Sequence, residues 1–529
     1  MSQRFPLQSL HQRRGTILII VLVVIVLLSL SAYTFTTFMR TEREVSMLMT
    51  RRLQSKYLVD SAIDYTRLLL SYDNATIHGK GGLWDNEEGF REVDVASDNE
   101  EDRERVGHFT IVAPGMDEEG SPEGFRYGLV DESSKLNVNV LPIIDRFPTA
   151  DGSAAQQLLL AFPGMTEEIA DRILDFLDED DDVRDFGLES DFYNGLTTPY
   201  NCKNGPLDSL EELLQVYGVT AELLYGNDIN RNGIIDQDES QSDTALEADL
   251  ELGWSSYLTL YSKESNQNAE GQVRVNINNM DLERMYDDLG AYFDERWRVF
   301  VVMARVNGLF YADQLEEGVE PVTNVPFVDL DFDSLESANT FNQVLQFVNA
   351  FTTMTDPQSG ETITLASPLQ QLEPGFPIQL LAAMDNMTTY EGDSIPGRVN
   401  IMQASRLIML GVPGLDEELV DEIIRRRGSD FELLAPEGVD VFRQHETWLL
   451  SEGVVDLPTM QAITPFVCTG GEVFKAEVVG YFNDLIGASR AEVFLDSTQP
   501  LPRILFWRDK SHLPLGYNID ILGRDLIEQ

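Results

Sequence analysis

From Thr16 to Met39 no charged residue interrupts the chain, a run long enough to span a bilayer as one helix. Tyr33, Phe35 and Phe38 lie at its far end, where an interfacial aromatic belt is expected, and Arg4, Arg13 and Arg14 precede it. That asymmetry predicts a single pass with the N-terminus in the cytoplasm and the bulk of the chain on the other side. A secretory signal would be shorter and end in small residues, and no Ala-x-Ala follows here. Beyond the apolar run, Val45, Leu48, Leu58, Ala62, Tyr65 and Leu69 fall mostly at three- and four-residue spacing. One helix is therefore predicted from the membrane to about Tyr72, ended by Asn74, Gly79, Gly81 and Gly82.

Period-two and β-branched stretches come next. His108 to Pro114 and Phe125 to Asp131 flank an acidic turn and predict a hairpin. Near the other end, "EVFKAEVVGYF", "RAEVFLD" and "RILFWRD" read as further strands. The predicted fold is α+β: a long N-terminal helix plus an antiparallel sheet, interrupted by a large, mostly helical insertion between about Glu132 and Cys468. Within the insertion "KLNVNVL" from Lys135, "VRVNINNMD" from Val273 and "GRVNIMQAS" from Gly397 repeat one junction. The first and third are followed by Pro-Gly and an acidic helix start, resembling helix-hairpin-helix units. The second lacks Pro-Gly, and no third hairpin is predicted there. The expected divisions are 1–15, 16–39, 40–131, 132–270, 271–396, 397–468 and 469–529: leader, membrane span, stem with first strands, first inserted domain, expanded repeat region, second hairpin unit and terminal strands.

A formal charge of −52 over 529 residues excludes nucleic acid and anionic membrane surfaces as natural partners. Carboxylates also occupy both helix starts (Glu167 and Glu168, Glu417 and Glu418), where a DNA-binding hairpin would need phosphate. The five histidines are scattered, with no HExxH, nucleophile elbow or Walker loop, so no enzyme is read. Cys202 and Cys468 are the only cysteines; a disulfide between them and two buried free thiols both remain open.

The sharpest local pattern is "DINRNGIIDQDE". Asp228, Asn230 and Asn232 occupy positions one, three and five of an EF-hand-type loop, with Gly233 at the sharp turn. Ile234 offers its carbonyl at seven, Asp236 stands at nine, and Glu239 is the bidentate carboxylate at twelve. An all-oxygen donor set selects calcium over softer metals.

A basic leader ending in Arg14-Gly15 directly before the apolar run resembles a type IV pilin-like leader. The resemblance implies cleavage by a prepilin peptidase between Gly15 and Thr16. Most such chains carry Glu at the fifth mature position; here that residue is Ile20, as in the K-type minor pseudopilins of type II secretion, the general secretion pathway protein K family. Further likeness to that family lies in "DESSKLNVN", in the run from Asp178 to Tyr193, in Pro199-Tyr200, in Asn204 to Leu207 and in the Leu-rich stretch that follows. Calcium binding in the inserted domain is implied by the resemblance, with Asp180, Glu189 and Asp191 as candidate ligands. The segment 310–396 matches nothing in that family.

The resemblance implies a minor pseudopilin at the tip of the periplasmic pseudopilus, starting its assembly and supporting export of folded proteins through the outer membrane. Its expected partners are the other minor pseudopilins, the inner-membrane secretion platform and the prepilin peptidase. The expected location is the inner membrane, with the bulk periplasmic. Two other readings share features with it: a membrane-anchored DNA receptor of the competence type, and a calcium-dependent envelope scaffold. Secreted substrates and N-methylation of Thr16 are not legible.

Overall fold

A computed structural model describes residues 14–95, 106–147, 149, 152–236, 239, 252–315, 318–323, 330–355, 360–427, 441–483 and 485–523. Helix α1 (Arg14–Leu69) is continuous, as its apolar periodicity predicts. Its first half has large apolar side chains bare along all sides, from Ile17 to Met39. Among the described residues it is the one helix long and apolar enough to cross a membrane. In its second half Val59, Ala62, Ile63 and Leu69 are buried. Each such aliphatic side chain contributes about 1.5–3 kcal/mol by leaving water.

The surface that α1 covers is an antiparallel sheet. Strands β1 (Val93–Val95), β2 (Gly107–Met116), β3 (Pro122–Arg126) and β4 (Val130–Asp131) precede the insertion. Strands β5 (Val473–Tyr481), β6 (Ser489–Asp496) and β7 (Arg503–Asp509) follow it. The path is β1-β2-β5-β6-β7, with β3 paired to β2 and β4 to β5. The long helix with an antiparallel sheet is the fold class the sequence predicts. Gly480 lets the helix approach: a Cβ there would stand 2.4 Å from the Ser55 carbonyl oxygen.

Period-two alternation gives this sheet two unlike faces. Ala476, Val478, Ala491, Val493 and Leu495 join the α1 core. The intervening residues face the insertion and include Lys475, Glu477, Arg490, Glu492 and Arg508. Glu477 lies directly opposite Glu492 across β5 and β6, an arrangement that like charges alone would disfavour. Lys510 resolves it, with Nζ 3.0 Å from Glu477 and 2.7 Å from Glu492. Arg490 also donates to Glu477. These cations hold the Glu477 carboxyl below its ordinary range and pull Glu492 to about 2, against the opposing effect of burial.

Between β4 and β5 the chain builds three units on one plan. Each opens and closes with a parallel two-residue pairing: Leu136–Asn137 with Leu258–Thr259, Val275–Asn276 with Met387–Thr388, and Val399–Asn400 with Val467–Cys468. In each, the opening Asn side chain accepts from the N–H two residues on, at 3.0, 2.8 and 2.9 Å. A helix pair follows: α2 (Ala154–Leu160) and α3 (Glu167–Leu177), α4 (Leu282–Leu289) and α5 (Glu295–Asn307), α6 (Arg406–Leu410) and α7 (Glu417–Arg427). The middle pair corrects the sequence reading, which predicted no third hairpin. Its turn lacks the Pro-Gly signal because Gly290 stays in ordinary right-handed conformation, whereas Gly164 and Gly414 need positive φ.

Side chains confirm the equivalence. Thr166, Asp294 and Asp416 cap the second helices through the N–H of Ile169, Trp297 and Leu419. At the same distance beyond the cap, Arg305 and Arg427 are wholly buried and donate to carbonyls of their own opening loops. Asn139 holds the backbone N–H and carbonyl of Leu207, and Asn278 does the same for Phe341.

Asp131, at the end of β4, marks where the chain leaves the sheet. Its buried carboxylate accepts from Asn400 at 2.8 Å and from the Gly471 N–H at 3.0 Å, where the chain returns. Arg398 donates to Glu264, in the link after the first unit, and to Glu446 in the third, tying that link to the third unit. Nearby, Glu472 is pushed up to about 8 by burial and by Glu264, while its Oε2 accepts from the Ser265 N–H at 2.6 Å. A raised carboxyl stabilises the fold below its unfolded value near 4.3, and that contribution is lost as pH rises through 8. Wild-type melting temperature should therefore fall between about pH 5 and 8 more steeply than that of Glu472→Gln, which retains the acceptor without the charge. Parallel melting curves for the two proteins would contradict the placement of a buried proton there.

Candidate metal centre

The loop read as an EF-hand-type ligand set folds around its own carboxylates. Asp228, at position one, accepts from the N–H of Asn232 at 3.0 Å and of Gly233 at 2.8 Å. Glu239, at position twelve, accepts from Ile229 and Asn230 with Oε1 and from Asp236 with Oε2. Gly233 has φ +85, a left-handed conformation that favours glycine at this turn. Asp228, Asn230, Asn232 and Glu239 are all buried. The Asn230 Oδ1 atom is buried with no hydrogen-bond partner among the described residues, an acceptor that a cation could take. Asp236 instead accepts from the Asn230 and Asn232 amides at 2.6 and 3.1 Å. Burial raises Asp228 and Glu239 above their ordinary carboxyl values.

Among the described residues no three His, Cys, Asp or Glu side chains converge closely enough to chelate a metal by themselves. The donor set of this loop relies on Asn oxygens and the Ile234 carbonyl as well, and oxygen chemistry of that kind fits a hard divalent cation.

The acidic run from Asp178 places its candidates differently. Glu189 is buried with both carboxylate oxygens unpartnered, and it is raised to about 7 by burial and by Asp175, Asp178 and Asp181. Asp178 Oδ1 and Asn204 Oδ1 are likewise buried without partners. Asn204 holds φ +44 and its amide reaches the Asp180 carbonyl and the Asp181 side chain at 3.3 and 3.4 Å. Asp180 is spent on a local turn, accepting from the Asp182 N–H. Asp191 sits exposed in the first turn of Ser190–Asn194. Sequence reasoning thus named Glu189 and missed Asp178, Asp181 and Asn204. The signal for Asn204 was its Asn-Gly-Pro context, which demands an unusual backbone.

Cys202 and Cys468 are free and do not form the disulfide offered by the sequence. Their thiols point to different carbonyls, Leu188 and Arg398, each at 3.6 Å. Burial pushes the Cys202 thiol up to about 12, leaving it inert at neutral pH. The backbone at Gly15 and Thr16 lies in the first turn of α1, while Arg4 and Arg13 lie outside the described residues.

The Asp228 loop is also structural. Arg490 donates to the Asn230 carbonyl at 2.7 Å and to the Arg231 carbonyl at 3.0 Å, and Lys510 donates to the latter at 2.9 Å. These are the cations that neutralise Glu477 and Glu492, so the loop closes over the charged face of the sheet.

Residues 134–225, the stretch holding the acidic run, match the family model of type II secretion system protein K, first domain. Over that stretch the chain is similar to type II secretion protein K. A putative type II secretion system protein K of Escherichia coli strain K12 is 31% identical over 105 residues, 18% of this chain and 32% of the relative. The chain thus spans about a third of that protein K relative's length. A protein K complex, the GspK-GspI-GspJ assembly of the enterotoxigenic Escherichia coli type 2 secretion system, is similar over 89% of this chain and 98% of the other. That likeness comes at 11% identity and TM-score 0.35.

Calcium added to the purified full chain in detergent is expected to bind measurably by calorimetry and to raise the melting temperature. Glu239→Ala should weaken binding by at least about tenfold through loss of the bidentate ligand. Neither heat nor a melting shift at millimolar calcium would reduce the loop to a folded turn.

Proposed function

We propose that this chain is a minor pseudopilin acting at the tip of the type II secretion pseudopilus, where it starts assembly and supports export of folded proteins. The observation that carries the reading is one of placement. A segment matching the protein K first domain is inserted between strands of a sheet that rests on a helix with a bare apolar foot. In this reading α1 is held in the inner membrane with the bulk periplasmic, and the prepilin peptidase cuts after Gly15. The membrane segment then becomes the packing stem of the filament, and the secretion platform drives it outward. Calcium at the Asp228 loop holds the insertion against the sheet. The chain works by assembly rather than catalysis.

The partner surface in this reading is the groove between α1 and β7. It is lined by Lys56, Val59, Asp60, Trp507 and Asp509, and closed at one end by the Lys56–Asp509 ion pair at 2.9 Å. Leu53, Tyr57, Leu505 and Trp507 stand exposed around it, and their continuity offers a seat for another pilin-like stem. The other minor pseudopilins of the same system are the expected occupants.

Full-length chain should co-purify from membranes with those partners, and its mature N-terminus should be Thr16. Trp507→Asp is expected to lose the partners and pseudopilus assembly while its stability shifts by no more than about 0.5 kcal/mol, as for other surface sites. A wild-type chain that keeps its leader and captures no minor pseudopilin would overturn the reading.

A further inference from the structure

Between the charged face of the sheet and the first inserted unit lies a half-open cleft of about 140 Å³ that no step above uses. At its inner wall three ammoniums, Lys135, Lys475 and Lys510, meet two carboxylates, Glu132 and Glu492. Glu477 behind them is shared by Arg490 and Lys510, and among the other lining residues Glu211 and Asp228 balance Arg231 and Arg508, so the cleft keeps one positive charge in excess. In a chain of formal charge −52 that excess is notable.

Its bonds are also incomplete. Among the described residues the Lys475 ammonium, which lines the cleft, makes no side-chain hydrogen bond or close ion pair, and Glu492, Glu477 and Glu132 act on it only at longer range. Lys135 Nζ stands 3.6 Å from Glu132 Oε1, beyond hydrogen-bond reach. That Oε1 is buried without a partner, while Oε2 is taken by the Thr259 hydroxyl. Two ammoniums in a desolvated cleft with unfilled donors call for an anion. Burial already draws Lys135 down to about 8.

The remaining wall is aromatic. Tyr261 packs on Phe494 with ring centroids 4.9 Å apart, and Phe494 meets Phe506 at 6.0 Å. The cleft therefore joins an apolar shelf to a cationic end, and its volume suits one ring with a single charged group.

We propose that the cleft is a binding site for a small aromatic monocarboxylate, with its carboxylate between Lys475 and Lys135 and its ring on Phe494 and Phe506. The site is independent of the secretion reading; Asp228 and Gly233 of the candidate metal loop also line it, on a different element from the two lysines that would hold the carboxylate. The aromatic shelf disfavours inorganic phosphate or sulfate, which would leave it unfilled.

Calorimetry on the full chain in detergent tests this with benzoate as probe and neutral benzamide as its isostere. Benzoate should bind at least about tenfold more tightly than benzamide, the worth of a charged hydrogen bond. Lys475→Met should lose about that factor, and Lys475→Arg should retain binding. Equal affinities for the two probes, or benzoate affinity unchanged in Lys475→Met, would overturn the site. Should Lys475→Met fail to fold, crystals of the wild type soaked in 4-iodobenzoate decide the matter. Iodine density over Phe494 and Phe506 supports the site, and its absence there overturns it.

Discussion

Everything beyond the stem hangs on a sheet face that cannot stand in water-free contact without its cations. Glu477 and Glu492 oppose one another across neighbouring strands, and Lys510 sits between them with Arg490 and Arg508 alongside. Removing one member of such a buried set leaves an uncompensated charge, at about 3–5 kcal/mol. The same donors then reach past the carboxylates to carbonyls of the inserted unit at Asn230 and Arg231. Arg508 adds a two-pronged contact with Glu211, at 2.6 and 3.1 Å. A sheet that was apolar on both faces would bind any hydrophobic cover. This one accepts a cover only in the register that offers carbonyls and carboxylates at those positions, which is specificity obtained from charge.

The insertion is held at its root by a different device. The Asp131 carboxylate touches the start of the third unit and the returning strand together, so departure and return are fixed at one point. Gly471 is required there, since a Cβ would lie 2.1 Å from the Ser133 hydroxyl. Closing a loop of several hundred residues costs only slowly growing entropy. Lengthening the insertion by a middle unit is therefore cheap so long as that unit closes on itself. The parallel pairing of Val275–Asn276 with Met387–Thr388 provides that closure.

Much of this was written plainly in the chain, and the failures share one cause. The stem helix, the hairpin at His108 and the terminal strands follow from periodicity, which is local. The turn at Asp228 is legible because the residues that shape it, Asp228 and Gly233 above all, lie within a few consecutive positions. What escaped was long-range. The middle helix pair has no Pro-Gly, and its place in the shared plan shows in long-range contacts such as the Val275–Met387 pairing and the Asn278–Phe341 bonds. Asp178 comes to act on the buried Glu189 through folding, not spacing, whereas Asp191, nearer in sequence, is exposed. Alternation in "KAEV" and "SRAEVF" marks strands and no more. Nothing local says that a second domain lies upon them.

These observations combine at the Asp228 loop. Its Asp228 and Glu239 carboxylates gather the loop's own N–H groups, while its carbonyls are held by the cations of the sheet. Order in the loop and docking of the insertion are thus two descriptions of one contact. Any ligand that favours the closed loop must favour the docked insertion by the same free energy, because linkage is reciprocal. Conversely, a mutation at Arg490 or Lys510, with no atom near a metal, would reach the loop through the Asn230 and Arg231 carbonyls. The acidity of the chain fits this logic. Repulsion among so many carboxylates opposes compaction, and the structure answers by concentrating its scarce lysines and arginines where strand, unit and loop meet.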